Sequence, residues 1–153
     1  MSARVARTRT EEETIALGEE IGRALGRGAV VLLTGELGAG KTTIAKGIIQ
    51  GLGASAPDDV SSPTYTLIHE FGEDPKVYHI DLYRIEHAAE VLALGIDELL
   101  DGDAILLIEW GERFPALWPP DCIEIRLSAL DETTREVLVT GGLGDKNTQF
   151  CML

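Results

Sequence analysis

Nine consecutive residues, "GELGAGKTT" from Gly35 to Thr43, constrain this chain more than any other feature. Gly35 to Thr42 fits the spacing G-x-x-x-x-G-K-[ST] in full. The stretch before it, "AVVLLT" (29–34), is apolar without alternation, the pattern of a parallel strand buried on both faces. The stretch after it, "KTTIAKGIIQGLG" (41–53), places Ile44, Ile48 and Leu52 at a spacing of four and ends on glycine, which predicts a helix. A strand, a glycine-rich turn and a helix in that order make a phosphate-binding loop. Glycines let the backbone turn its N–H groups toward phosphate oxygens, and the helix adds its free N–H groups and positive end. Gly35, Glu36, Leu37, Gly38, Ala39, Gly40, Lys41, Thr42 and Thr43 are therefore the expected cradle of a nucleoside triphosphate. Lys41 would reach the β- and γ-phosphates, and the Thr42 hydroxyl would serve Mg²⁺. A Rossmann dinucleotide site fits worse, because no G-x-G-x-x-G is present.

The rest of the chain alternates strands and helices. "TEEETIALGEEIGRAL" opens at Thr10 with Glu13 three residues on, the spacing of a capping box. Ile15, Gly18, Ile21 and Leu25 then give one buried stripe, and "GRG" ends the helix. "TYTLIHEF" (64–71) and "VYHIDLY" (77–83) read as strands joined by the turn "GEDPK". "IEHAAEVLALGIDELL" reads as one or two short helices with a break at Gly95. "AILLIEW" (104–110) is a second fully apolar strand, and "RFPALWPPD" a proline-rich connection. "CIEIRLSA" and "TREVLVTG" form a late hairpin with its turn at 130–134. The fold class is a three-layer α/β domain over residues 1–142, with a mostly parallel central sheet and antiparallel additions. Residues 143–153, "LGDKNTQFCML", read as a frayed tail. No internal repeat is visible.

Two acids stand where strands end. Asp81 closes "VYHID" and Glu109 closes "AILLIE". Ligands of open α/β sheets sit beyond the carboxyl ends of the strands, so both acids face the rim that carries the phosphate loop. Glu109 is the stronger candidate for the Mg²⁺ acid, because unbroken apolar residues precede it. Asp81 could assist the metal or a hydrolytic water; a solvated strand-end acid is the plain alternative for both. Trp110 follows Glu109 directly and could pack under the rim, stack on a base or face a partner. Thr64, in "SSPTYT", has the placement of a switch that senses the γ-phosphate, or of an ordinary turn. Asp81 is followed by "LYR" rather than by glycine two residues on, and no N-K-x-D is present, so guanine selectivity has no support. No compact arginine-rich lid of the small-kinase kind is evident, although Arg84 and Arg113 are candidates, and no arginine stands obviously over the phosphate loop.

Charge bounds the partners. The formal net charge of −13 makes a direct hold on a nucleic-acid backbone unfavourable. No run approaches the roughly 18 apolar residues of a membrane span. "MSARVARTRTEEET" lacks the apolar core of a secretory signal, so an ordinary cytoplasmic start is expected. The two cysteines, Cys122 and Cys151, lie far apart, with no CxxC or zinc spacing.

With these residues in place, the chain resembles the bacterial TsaE family of P-loop ATPases, which take part in making threonylcarbamoyladenosine in tRNA. The likeness rests on "GELGAGKTT", "SSPTYTLIHEF", "VYHIDLYRI", "LGIDELL" and "AILLIEW", in that order, and spans about residues 10 to 140. A P-loop alone is shared by many families; "SPTYT", "HIDLYR" and "IEW" at these separations are specific. The resemblance implies a small cytoplasmic protein that binds ATP and Mg²⁺, and hydrolyses ATP in the service of a TsaD–TsaB pair. That pair carries the transferase chemistry and handles the tRNA. By the same resemblance Lys41 is the phosphate lysine, Thr42 and Glu109 the metal residues, Asp81 an active-site acid and Thr64 the switch threonine. Thr10 and Arg135 fall near where the family holds adenine. Glu36 stands where many members have Asp. Two other readings use the same cradle: a stand-alone small-molecule kinase, and a nucleotide-gated adaptor in which hydrolysis is incidental.

Overall fold

The computed structural model describes residues 3–54 and 67–141. Seven strands form one sheet: β1 (Ala3–Thr8), β2 (Val30–Thr34), β3 (Ile68–Phe71), β4 (Val77–Asp81), β5 (Ile105–Glu109), β6 (Ile123–Ala129) and β7 (Arg135–Thr140). Their spatial order is β1-β7-β6-β2-β5-β4-β3. The central four, β6, β2, β5 and β4, run parallel, while β3, β7 and β1 are antiparallel additions. This is the expected α/β architecture.

Helices cover both faces. On one face lie α1 (Glu11–Ala24) and α2 (Lys41–Gly51). Leu17, Ile21, Ile44 and Ile48 pack there on Val31, Leu33, Leu107 and Ile125. On the other, the short helices α3 (Ala88–Ala93) and α4 (Ile96–Leu100) supply Val91 and Ile96 against Val30, Leu32, Leu106 and Ile108. The unbroken apolar runs of β2 and β5 follow from this double coverage: every residue of both strands is buried. Successive side chains point to opposite faces. Glu109 therefore shares the α2 side with Ile105 and Leu107, and His79 and Asp81 share it with Val77.

The two helices of the first face meet almost without side chains. A Cβ on Gly18 would stand 2.5 Å from the Ile44 carbonyl oxygen, and one on Gly22 would collide with the Ile48 oxygen. Gly47 and Gly51 of α2 approach the Ile15 and Glu19 carbonyls of α1 just as closely. Half of the expected capping box forms: Thr10 accepts from the Glu13 N–H at 3.1 Å, while the Glu13 carboxylate accepts at 3.0 Å from the N–H of Arg9, one residue before the cap.

The first strand was not expected. The sequence assigned residues 3–8 to no element, yet they pair antiparallel with β7 along their whole length. Ala6 and Thr8 are buried while Arg7 between them is exposed, and Thr8 and Thr14 share a hydroxyl hydrogen bond of 2.6 Å. Charged residues on an edge strand hide its period and also guard it against further pairing. Other boundaries shift by small amounts. α2 ends at Gly51, β4 at Asp81 and β5 at Glu109. β3 begins at Ile68, after Leu67 at a φ of 67°. Gly95 starts α4, so the "one or two helices" are two. The proline-rich connection holds two 3-10 turns, Gly111–Arg113 and Pro115–Leu117. The predicted tail lies outside the described residues.

Candidate active site

The phosphate loop leaves β2 at Thr34 and enters α2 at Lys41. Two glycines have positional reasons. A Cβ on Gly35 (φ 141°) would stand 2.5 Å from the Leu127 carbonyl oxygen, so β6 presses against the loop there. Gly40 caps α2 with φ 105°, in the left-handed region. No side chain caps that end, so the first N–H groups of α2 stay available to an acceptor. Of the intervening residues, Ala39 is buried under the loop, and Leu37 points outward at 74 % exposure.

Lys41 is 4 % exposed. Its Nζ donates to the Gly35 carbonyl at 2.8 Å and lies 3.4 Å from the centre of the Trp110 ring. Burial pushes its pKa below the ordinary lysine value, against the pull of Glu109, Glu112 and Asp81 and with a push from Arg113. Trp110 has φ 66°, which ends β5 and turns its ring toward the loop. That turn is locked from beneath. Trp118, itself buried, donates its indole N–H to the Gly111 carbonyl at 2.7 Å, and a Cβ on Gly111 would meet Ile108 and Leu32 at 2.9 Å. Tyr83 lies 5.1 Å from Trp110, and the Arg113 guanidinium lies 5.1 Å from Trp110 and 5.3 Å from Tyr83. Arg113 also donates to the Tyr83 carbonyl at 2.5 Å. Arg113, one of the two candidate arginines, thus stands against Trp110, the ring that Lys41 contacts.

The two acids meet as expected. Asp81 and Glu109 are register partners on β4 and β5, 4 % and 3 % exposed. Thr42 Oγ1 donates to Glu109 Oε2 at 3.2 Å, and His79 Nε2 lies 2.6 Å from the same oxygen. Asp81 Oδ1 accepts from the Tyr83 N–H at 2.9 Å, and the Leu82 N–H donates to the Glu109 carbonyl at 3.0 Å. With its proton given to Glu109, the Thr42 hydroxyl keeps lone pairs for a cation. Thr42, Glu109 and Asp81 offer hard oxygen donors of the kind Mg²⁺ takes. Among the described residues no group of three or more His, Cys, Asp or Glu side chains forms a metal site. A cation here would complete its shell with phosphate oxygens and water, as Mg²⁺ does.

A cavity of about 370 Å³ runs over Gly40 to Thr43, Asp81, Glu109 and Trp110. Beside it lies another of about 270 Å³, lined by Glu11, Thr14, Gly38, Gly40, Thr43, Glu132, Thr133 and Arg135. Arg135 is thus brought to the phosphate loop, its Nε 3.7 Å from where a Gly40 Cβ would stand. Its Nη1 donates to the Asp131 and Thr134 carbonyls at 2.8 and 3.1 Å. The hairpin turn is held by the Asp131 carboxylate, which accepts from the Thr133 and Thr134 N–H groups. Those bonds hold its pKa below the usual carboxylate range. Thr10 sits close by in sequence, but its hydroxyl is engaged in the α1 cap, and Glu11 and Thr14 of that helix line the cavity instead. Thr64 lies outside the described residues. Sequence reasoning missed His79, although it stands two residues before Asp81 on a strand and so had to share its face.

Comparison with known proteins points to one family and one fold. A family model described as "Threonylcarbamoyl adenosine biosynthesis protein TsaE" matches residues 8–137. The chain is 42 % identical over 135 residues to the tRNA threonylcarbamoyladenosine biosynthesis protein TsaE of a Nostoc species, covering 85 % of this chain and 81 % of the relative. It is 35 % identical over 146 residues to the TsaE of Bacillus subtilis, covering 95 % and 89 %. Among solved structures, the crystal structure of Bacillus subtilis YdiB superposes with a TM-score of 0.74 at 31 % identity, covering 92 % of this chain and 86 % of that one.

Proposed function

This chain belongs to the TsaE family, and we propose that it is a cytoplasmic ATPase subunit for tRNA threonylcarbamoyladenosine formation. In this reading it binds ATP with Mg²⁺ and hydrolyses it while acting on a TsaD–TsaB-like complex that carries the transfer chemistry. The observation that supports it most is the meeting of Thr42 and Glu109 at 3.2 Å beside Lys41 and the uncapped start of α2. Lys41 leaves the Gly35 carbonyl and donates to the β- and γ-phosphates. The first N–H groups of α2 hold phosphate oxygens, and Thr42 and Glu109 hold the cation. Bound Mg²⁺ supplies positive charge to the oxygens of the transferring phosphoryl group. Asp81, opposite Glu109 on the neighbouring strand, orients the attacking water. Arg135 and the first turn of α1 border the adenine, and Thr64 acts as the switch that responds to the γ-phosphate.

The complex, rather than this chain, meets the tRNA. With a net charge of −13 the isolated chain has little to release counterions from a phosphate backbone. Among the described residues no helix is long and apolar enough to cross a membrane.

Steady-state phosphate release tests the reading, with Mg²⁺ or EDTA, alone and with TsaD–TsaB partners. The expected result is a slow, Mg²⁺-dependent rate that rises when the partners are added, with Thr64→Ala weakening the rise more than ATP binding. A full rate without response to partners would reject the subunit reading. Phosphate moved from ATP to a small acceptor would identify a kinase. A variant that binds ATP without hydrolysis yet sustains full modification would identify an adaptor.

A further inference from the structure

His79 is fully buried on β4, one strand in from the sheet edge, between its register partners Leu107 on β5 and His69 on β3. Its Nε2 lies 2.6 Å from Glu109 Oε2, and among the described residues its Nδ1 has no hydrogen-bond partner. A buried polar atom left unpaired costs on the order of 1–3 kcal/mol. A strand residue that served packing alone would be met more cheaply by valine or isoleucine. The bond to Glu109 is the compensation, and it is charge-assisted and short. A carboxylate only accepts, so Nε2 is the donor.

We propose that His79 is a positioning residue for the metal acid: its Nε2–H fixes one oxygen of Glu109 and so sets where the other faces. Thr42 donates to that same Oε2. Among the described residues Oε1 takes no hydrogen bond, and Glu109 borders the cavity over Lys41 and Thr42. A free strand-end glutamate has two soft side-chain torsions beyond χ1 and would sweep its carboxylate across the rim. Hydrogen bonds to a ligating carboxylate orient it, and their loss commonly costs about 10- to 100-fold in metal affinity.

The inference rests on the Mg²⁺-dependent ATP reading, and its test separates the two. His79→Gln retains an amide N–H near the reach of Nε2, whereas His79→Asn carries an equally polar amide that falls short of Glu109. The Mg²⁺ concentration for half-maximal binding of a non-hydrolysable ATP analogue is measured by calorimetry for the parent and both variants. The binding of the analogue in EDTA and the thermal unfolding midpoint are recorded alongside. The expected result is a rise of about tenfold or more in the Mg²⁺ requirement for His79→Asn, with near-parent behaviour for His79→Gln and metal-free binding within about threefold for both. Equal Mg²⁺ requirements in the two variants, whether raised or unchanged, would overturn the positioning role. A parent that shows no Mg²⁺ dependence at all would instead sink the proposed function.

Discussion

At the phosphate end of the groove, Lys41, His79, Asp81 and Glu109 are each less than 5 % exposed and are carried by α2 and the parallel strands β4 and β5. At the other end, Glu132 and Thr133 are exposed and Arg135 is half-buried, all at an antiparallel hairpin turn. The first end uses long-range bonds between elements, as between Thr42 and Glu109 or His79 and Glu109. The second uses bonds within a few residues, as between Arg135 and the carbonyls of residues 131 and 134. Buried, cross-element bonds hold charged groups in a fixed geometry where low dielectric strengthens them. Local bonds at a turn hold their own loop and leave the ligand a surface that water shares. Under the proposed function, chemistry belongs at the first end and recognition at the second.

The widest test of that contrast removes the phosphate lysine. Lys41→Ala deletes a buried cation aimed at the cradle and should lower ATP-analogue affinity by about 100-fold or more in calorimetry. Unchanged affinity would end the phosphate reading. Next comes the metal acid. Glu109→Gln keeps the shape and removes the charge, so hydrolysis should fall by about 100-fold while analogue binding in EDTA changes by less than about threefold. Equal losses in both would mean that Glu109 supports the loop rather than the reaction. Arg135→Ala should lower analogue affinity by only about 3- to 10-fold, because its guanidinium is shared with water and with its own turn. If it matched Lys41→Ala, the contrast between the two ends would collapse. The smallest effect is expected at Thr10. Thr10→Ala should cost about 1 kcal/mol of stability through the lost cap, seen as a shifted urea midpoint, with ATP affinity close to that of the parent. A large affinity loss at unchanged stability would return Thr10 to the binding surface.

The legible parts of this chain were those in which chemistry and period coincide. The P-loop announces itself by spacing, the apolar runs before Gly35 and Glu109 announce buried strands, and Thr10 and Glu13 announce a cap. The illegible parts depend on neighbours distant in sequence. β1 is hidden because its apolar Val5 faces outward with Arg7, while Arg4 shares the inward face with the buried Ala6 and Thr8, so no apolar alternation shows. His79 reads as one polar residue in a strand until β5 places Glu109 against it. Arg113 was visible as a candidate, but the 3-10 turn locked by Trp118 decides that it stands beside Trp110 and Tyr83.

The glycine contact between α1 and α2 gives the groove a gauge. One helix carries Glu11 and Thr14 into the smaller cavity, the other carries Lys41 and Thr42 into the larger one, the proposed base and phosphate ends. Backbone touches backbone at Gly18, Gly22, Gly47 and Gly51, so no flexible side chain sits between the two as a compressible spacer. On the α1 side, the distance between the two cavities is therefore set by main-chain thickness. A methyl group added at Gly47 would lengthen that ruler without touching any group that meets the nucleotide, and would spoil the measurement while leaving every chemical mark on it intact.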